Sequence, residues 1–413
     1  MLEGVNVALG VCGSIAAVKT VELAHELRRR GAAVRAVMTG GAQGIVHPWA
    51  VEFATDREVV TELTGAVEHV ELCGREGWAD VFLIAPATAN TVGKIAGAVD
   101  DTPVTTCATT ALGADVPVVI APAMHEPMYD HPGVLEAIER VESWGVEFVD
   151  PRIEEGKAKI AAEESICLAT ARAAVDRPLD GEHVVVTAGA TAEAIDPVRV
   201  LTNRSSGKTG RAVAKACYVR GADVTLIHGV VGPHAPSNDP DEPALGPDGS
   251  LGYADYRRVE SAAELRDAAL DAAADADALI STAAIGDYTV ERRDRKIRSG
   301  QKLTLNLDPT PKVIDAVREA RPDLPIVGFK TETAGAAGDR EGDRSDADAE
   351  MAEAARETLD RVDLAFVVAN DASVMGADET RTLFVDADDA EAFEGSKRAL
   401  GGAVADRLVG VVD

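Results

Sequence analysis

From Val5 onward the sequence alternates short apolar runs with amphipathic stretches, and glycine-bearing turns separate the two. VNVALG leads through VCGSIAA into a stretch where Ala17, Val21, Ala24 and Leu27 share one helical face, closed by Gly31. VRAVMT, VFLIAPA and VPVVIAPAM follow as nearly unbroken apolar runs, the pattern of parallel strands covered on both faces. The rhythm restarts at His183: HVVVTAG, DVTLIHG, DALISTAA, PIVGFK and DLAFVVAND read as strands, with helices near 208–220, 262–275, 347–361 and 396–409. Two successive alternators predict two doubly wound, Rossmann-like α/β domains, 1–177 and 178–413, divided in the polar stretch ending DRPLDGE. Residues 233–253, rich in Pro, Gly and Asp, and the charged run 338–350 read as solvated loops without chemistry.

Charge narrows the partners. The 413 residues carry 70 Asp and Glu against 41 Lys and Arg, a net −29, and such a surface repels nucleic-acid backbones and anionic membranes. Disorder is excluded, because 46% of the residues are hydrophobic. Only 11 of the basic residues are lysine, and aromatics make up 4%. That combination predicts a protein adapted to molar salt, where screening removes self-repulsion. Cys12, Cys73, Cys107, Cys167 and Cys217 have neither CxxC nor Cys/His spacing, which predicts a reducing compartment without a disulfide framework or zinc site. Without a signal-like leader or a run of about 20 apolar residues, the expected location is cytoplasmic.

The turn GVCGSIAA sets Gly10, Gly13 and Ser14 where a helix start can meet a phosphate. It lacks the full GxGxxG spacing and the later acidic ribose ligand, so a mononucleotide fits better than a dinucleotide. Thr39, Thr88, Thr105, Thr106, Thr109 and Thr110 offer hydroxyls at other strand ends; each can equally be a helix cap or turn residue.

Taken together, GVCGSIAA, EHVEL, WADVFLIAPATANT and APAMHEPMY resemble the flavin-dependent cysteine decarboxylase family across residues 1 to about 175. The resemblance implies a flavodoxin-like first domain binding FMN between the subunits of a homo-oligomer, with Gly13, Ser14, Thr39, Thr106 and Thr109 around the cofactor. It makes His69 the catalytic histidine, accepting a proton while the substrate's thiol-bearing carbon surrenders a hydride to the flavin. The thioaldehyde so formed is an electron sink that lets CO2 leave. Asn90 corresponds to the asparagine that holds the substrate carboxylate, and Met128 falls in the family's methionine stretch. Two departures stand out. His125 occupies the usual asparagine position of PAMN, and the flap EEGKAKIAAEES has Lys157 and Lys159 but no cysteine, which makes the two lysines candidates for the replacement proton donor, Lys159 being the one counted among the catalytic residues.

In the second half, SGKTG suggests a P-loop, yet the glycine required five positions before Gly207 is Thr202. TAGATAEAIDPVRVLTNRSSGKTGRAVAKA, STAAIGDYTVERRDRKI, DPTPKVI, GFKTET and VVAND resemble phosphopantothenate–cysteine ligases over 183–413. This implies activation of a carboxylate by a nucleoside triphosphate, commonly CTP, with Mg2+ whose ligands are unassigned, followed by displacement by the cysteine amine. Asn203 then contacts the acyl intermediate, Arg199 is a nearby cation, and Lys296 lies on a mobile loop meeting the phosphates. Ala284, Asp287, Thr310, Lys312 and Phe329 correspond to nucleotide-pocket positions, and Arg356 or Arg361 stands in for a phosphate-binding lysine. A decarboxylase followed by a ligase implies two consecutive steps of coenzyme A biosynthesis on one chain. The alternatives are a ligase fused to an impaired decarboxylase and a non-catalytic regulatory homologue.

Overall fold

A computed structural model describes residues 1–154, 157–229, 251–300, 302–332, 341–371 and 379–412. The chain divides into two compact units, Met1–Asp176 and Arg177–Asp413. Residues 233–250 and 338–340 of the two polar runs lie outside the described residues.

In the first unit, strands β1 (Asn6–Val11), β2 (Ala33–Met38), β3 (Val81–Ala87), β4 (Val118–Pro122) and β5 (Glu147–Phe148) form a wholly parallel sheet in the order 2-1-3-4-5. This is the flavodoxin-like arrangement. All seven residues of β3 are buried, which accounts for the unbroken apolar run of its sequence. Phe82, Ile84 and Val104 join one core with Leu72 and Cys107, so the sheet and the helices Glu68–Cys73 and Pro103–Gly113 share it.

The second unit contains an eight-stranded sheet. Its strands are β6 (His183–Gly189), β7 (Asp223–Gly229), β8 (Asp255–Val259), β9 (Ala278–Ser281), β10 (Ile326–Glu332), β11 (Phe366–Asp371), β12 (Glu379–Val385) and β13 (Ala390–Ser396). They run in the order 8-7-6-9-10-11-12-13. The first six in that order are parallel and reproduce the dinucleotide-fold order 3-2-1-4-5-6; β12 and β13 add antiparallel at one edge. The outermost strand is polar and carries Glu391 and Glu394, which pair with Arg407 and Arg381 and leave the edge charged. Among the described residues no helix is long and apolar enough to cross a membrane.

Two local expectations need correction. Gly10 lies inside β1, where a Cβ would sit 3.0 Å from Phe82 Cζ, so close packing rather than a phosphate explains it. The helix after GVCGS does not begin directly either: Ile15–Lys19 is a tight 3-10 turn before the α-helix Thr20–Arg29.

Candidate active sites

Open α/β sheets bind ligands beyond the carboxyl ends of their strands, where the strand order reverses. In the first unit that point lies between β1 and β3. There Cys12 N–H donates to Pro86 O (3.2 Å), and Ser14 Oγ donates to Ala123 O (2.9 Å). Gly13 packs so closely on the next loop that a Cβ would lie 3.0 Å from Gly41 Cα. Gly13, Ser14 and Thr39 thus converge on one edge, next to the segment leading to His125.

The hydroxyls there have local partners. Ser14 accepts from Ala16 N–H, Thr39 caps the short helix Gly40–Gln43, and Thr88 caps Ala89–Ala96. Thr106 Oγ1 lies 2.9 Å from both Asp100 O and Thr102 O, whereas Thr109 is exposed. The cap reading therefore describes Ser14, Thr39 and Thr88, and Thr106 spends its proton on its own backbone.

His69 is the second residue of the helix Glu68–Cys73, which packs on Pro103–Gly113 through buried Cys73 and Cys107. Its Nδ1 is buried and has no hydrogen-bond partner among the described residues, leaving a ring nitrogen for an incoming group. Asn90 is the exposed second residue of Ala89–Ala96, and Met128 is 48% exposed.

The flap is a three-stranded antiparallel sheet of Met124–His125, Lys157–Lys159 and Arg152–Glu154. His125 pairs directly with Lys157, Met124 with Ala158, and Lys159 with Arg152. The two departures from the family pattern, His125 and the lysine flap, are therefore hydrogen-bonded neighbours. Nothing in the sequence signalled that pairing, because one strand is two residues long.

In the second unit the order reverses between β6 and β9. The bridge Ala190–Ala284 and the bond from Ala284 N–H to Gly189 O (2.8 Å) hold the two strand ends together. Asn203 Nδ2 donates to Ala284 O (3.0 Å), so two predicted residues meet there. Beside them, Gly207 adopts a φ of +75° and caps the helix Lys208–Val219. The first amides of this twelve-residue helix face a pocket lined by Ser206, Gly207, Lys208, Thr282, Phe329 and Lys397. Asn370 also lines it, with a buried Oδ1 that has no partner among the described residues.

Asp287, Thr310 and Lys312 form a second cluster. Lys312 Nζ lies 3.0 Å from Asp287 Oδ1, and Thr310 N–H donates to Asp287 O (3.0 Å). Arg199 and the Lys296 loop are tied by a residue the sequence reading passed over. Asp196 Oδ1 accepts from Val198 N–H (2.8 Å) and Arg199 N–H (3.0 Å), and Oδ2 accepts from Ile297 N–H (3.0 Å). Those bonds, led by the Ile297 amide, hold its carboxyl below the usual range. Arg199 also donates to Ile297 O, while Lys296 itself is exposed. Arg361 is a correction: its contacts among the described residues, at 2.8 and 2.9 Å, go to Asp315, and it is not among the described residues that line the pocket around Phe329. The missed pocket residues, Asn370 and Lys397, lie at strand and helix ends brought in by the sheet's far half.

A flavodoxin-like unit followed by a Rossmann-order unit with an anion cradle defines a two-site enzyme of flavoprotein type. Family models agree: residues 1–174 match the Flavoprotein family, and 179–411 match the DNA/pantothenate metabolism flavoprotein C-terminal domain. The coenzyme A biosynthesis bifunctional protein CoaBC of Thermococcus kodakarensis is 45% identical over 389 residues, 94% of this chain and 90% of that protein. CoaBC of Bacillus subtilis is 35% identical over 393 residues, 91% of this chain and 88% of that protein. The solved FMN-dependent cysteine decarboxylase SpaF aligns at 32% identity over 42% of this chain and all of its own, with a TM-score of 0.38. The chain belongs to the CoaBC family of bifunctional coenzyme A biosynthesis enzymes, with a decarboxylase half and a ligase half.

Proposed function

We propose that the second unit joins 4'-phosphopantothenate to cysteine at the expense of CTP, and that the first unit decarboxylates the product to 4'-phosphopantetheine. The observation that carries the ligase assignment is the meeting of Asn203 with Ala284 O beside the helix start at Gly207. The helix amides with Lys208 and Lys397 suit a triphosphate, and Asn203 is placed to steady the oxyanion of an activated carboxylate. Arg199 and Lys296, joined through Asp196, supply cations from one loop system. Among the described residues no group of three or more metal-ligating side chains occurs. Mg2+ accordingly enters as a companion of the phosphates, which supply its oxygen ligands.

The residues fit FMN: at the β1/β3 edge the loop has no room for a Cβ at Gly13, and on the helix Glu68–Cys73 the Nδ1 of His69 has no partner among the described residues. When bound there, FMN would take up the hydride and give it back to the decarboxylated enethiol, so that no outside oxidant or reductant is needed. His69 takes the substrate proton, Asn90 and His125 orient the departing carboxylate, and Lys159 on the paired flap returns a proton. Family membership favours an enzyme over a regulatory homologue, and the paired flap favours a working decarboxylase over an impaired one.

A self-assembled first unit is part of this reading. Ile15 is 79%, Trp49 76% and Phe53 79% exposed, an unusual display of large apolar side chains on a chain of net charge −29. The same charge supports work in concentrated salt inside the cytoplasm. One coupled assay tests the whole: phosphopantothenate, cysteine, Mg2+ and either CTP or ATP in molar KCl, with each product followed by mass. Saturated 4'-phosphopantetheine and CO2 are expected; an accumulating condensation product or enethiol refutes a complete decarboxylase. Activity confined to low salt refutes the salt adaptation.

A further inference from the structure

A buried histidine beneath the anion cradle has no part in the chemistry above. His228 is the sixth residue of β7 and only 1% exposed. Its Nε2 lies 3.1 Å from Arg211 Nη1, and its Nδ1 lies 2.9 Å from Gly229 O. A guanidinium can only donate, so Nε2 must accept and the ring proton must sit on Nδ1, donated to Gly229 O. Arg211, 3% exposed, also donates from Nη1 to Ser206 O at 2.9 Å. One guanidinium nitrogen thus joins the imidazole to the backbone of the cradle.

The ring also fills the space that two glycines leave. A Cβ at Gly207 would lie 2.2 Å from His228 Nε2, and one at Gly189, where φ is +78°, would lie 2.7 Å from its Cε1. Gly189 ends β6, and Gly207 caps the helix whose amides face the pocket. A single side chain therefore touches the strand end, the helix cap and, through Arg211, the carbonyl of Ser206.

We propose that His228 and Arg211 are a positioning pair for the nucleotide phosphates, fixing the backbone of Ser206 and Gly207 so that the helix amides meet the anion in one geometry. The proposal rests on the nucleotide reading of this pocket. Neither residue touches the ligand: Arg211 is held to Ser206 O and His228, and its buried charge lies under the site.

Two substitutions separate the two bonds of the ring. His228→Gln places an acceptor where Nε2 stood and keeps Arg211 engaged. His228→Asn places a donor where Nδ1 stood, keeps Gly229 O engaged, and leaves that Arg211 contact empty. In ligase assays with CTP varied, His228→Asn raises KM about tenfold, the worth of one charge-assisted hydrogen bond, with kcat nearly unchanged. His228→Gln stays near the wild-type KM. Arg211→Lys gives a rise at least as large as that of His228→Asn, and the double variant adds little to Arg211→Lys, because both substitutions break the contact between the ring and the guanidinium. CO2 release from 4'-phosphopantothenoylcysteine stays constant throughout and reports that the first unit is intact, and the near-wild-type ligase kcat reports that the second is folded. Equal KM values for the Gln and Asn variants, or a fall in kcat at constant KM, overturn the pair. If the Asn variant does not fold, the Arg211→Lys KM decides: a value unchanged from wild type overturns the pair equally. Wild-type protein that ligates without any nucleotide overturns the reading of the pocket, and the pair's role with it.

Discussion

Replacing Gly210 by alanine sets two known effects against each other. Glycine within a helix costs about 1 kcal/mol relative to alanine, so on propensity alone the change stabilises Lys208–Val219. The structure opposes it. A Cβ at this buried position would lie 2.3 Å from Thr282 Oγ1 and 2.5 Å from Ala188 Cβ, about 1 Å short of ordinary contact. Thr282 cannot turn away without losing its bond to Thr187 O (2.6 Å), and Ala188, wholly buried in the central strand, has no rotamer to change. Overpacking of this kind costs about 1–3 kcal/mol, so after the gain of about 1 kcal/mol the net change is a loss of up to about 2 kcal/mol. In a domain of this size that lowers Tm by up to roughly 8 °C. The same helix carries Gly207 and Lys208 at its start, so its retreat also moves the cradle and raises the KM for CTP. Scanning calorimetry and ligase kinetics measure both, with the decarboxylase half as internal reference. A raised Tm with unchanged KM would mean that propensity outweighs contact and would refute the packing argument.

Four shorter predictions address the other groups. His69→Gln abolishes CO2 release and leaves ligation untouched; loss of both activities contradicts the division of labour. Lys159→Met permits CO2 loss but yields an enethiol in place of the saturated product, a difference of two mass units in product spectra that unaltered product disproves. Asp196→Asn puts an amide donor among Ile297 N–H and Arg199, and ligase turnover falls about tenfold while FMN absorbance persists; unchanged turnover removes the link to the Lys296 loop. Acid stability turns on His228, whose pKa burial and the Arg211 charge push down from 6.5 to about 4. Below pH 6.5 the unfolded imidazole takes a proton that the folded one refuses, so stability falls as pH drops to about 4, by roughly 3 kcal/mol in all. Urea unfolding across that range gives a shallower pH slope in His228→Gln, and identical slopes contradict the assignment.

The parts written in local periodicity were legible. HVVVTAG and DVTLIHG are strands β6 and β7 residue for residue, and the helix expected near 208–220 is Lys208–Val219, because apolar runs and glycine stops mark buried parallel strands and their crossovers. Ala390–Ser396 was not legible, since an exposed edge strand needs no apolar pattern, nor were two-residue pairings such as that of Met124–His125. Asn203 and Ala284, matched to separate motifs, meet across 81 residues of sequence. Asp196 and His228 passed unnoticed because their importance lies in backbone groups they hold, and a one-dimensional reading shows which side chains exist but not which amides need partners.

All five cysteines are free and buried. Burial pushes the thiols of Cys12 up to about 11 and of Cys167 and Cys217 up to about 12, so little thiolate exists near neutral pH. The two reactions take up a thiol and release one, from free cysteine to the pantetheine end product. Each of those molecules, once oxidised to a disulfide, is open to attack by a protein thiolate, which leaves the protein sulfur capped as a mixed disulfide. A catalyst living among such compounds risks being capped by its own cargo, and sulfur kept protonated and out of reach leaves that exchange no foothold.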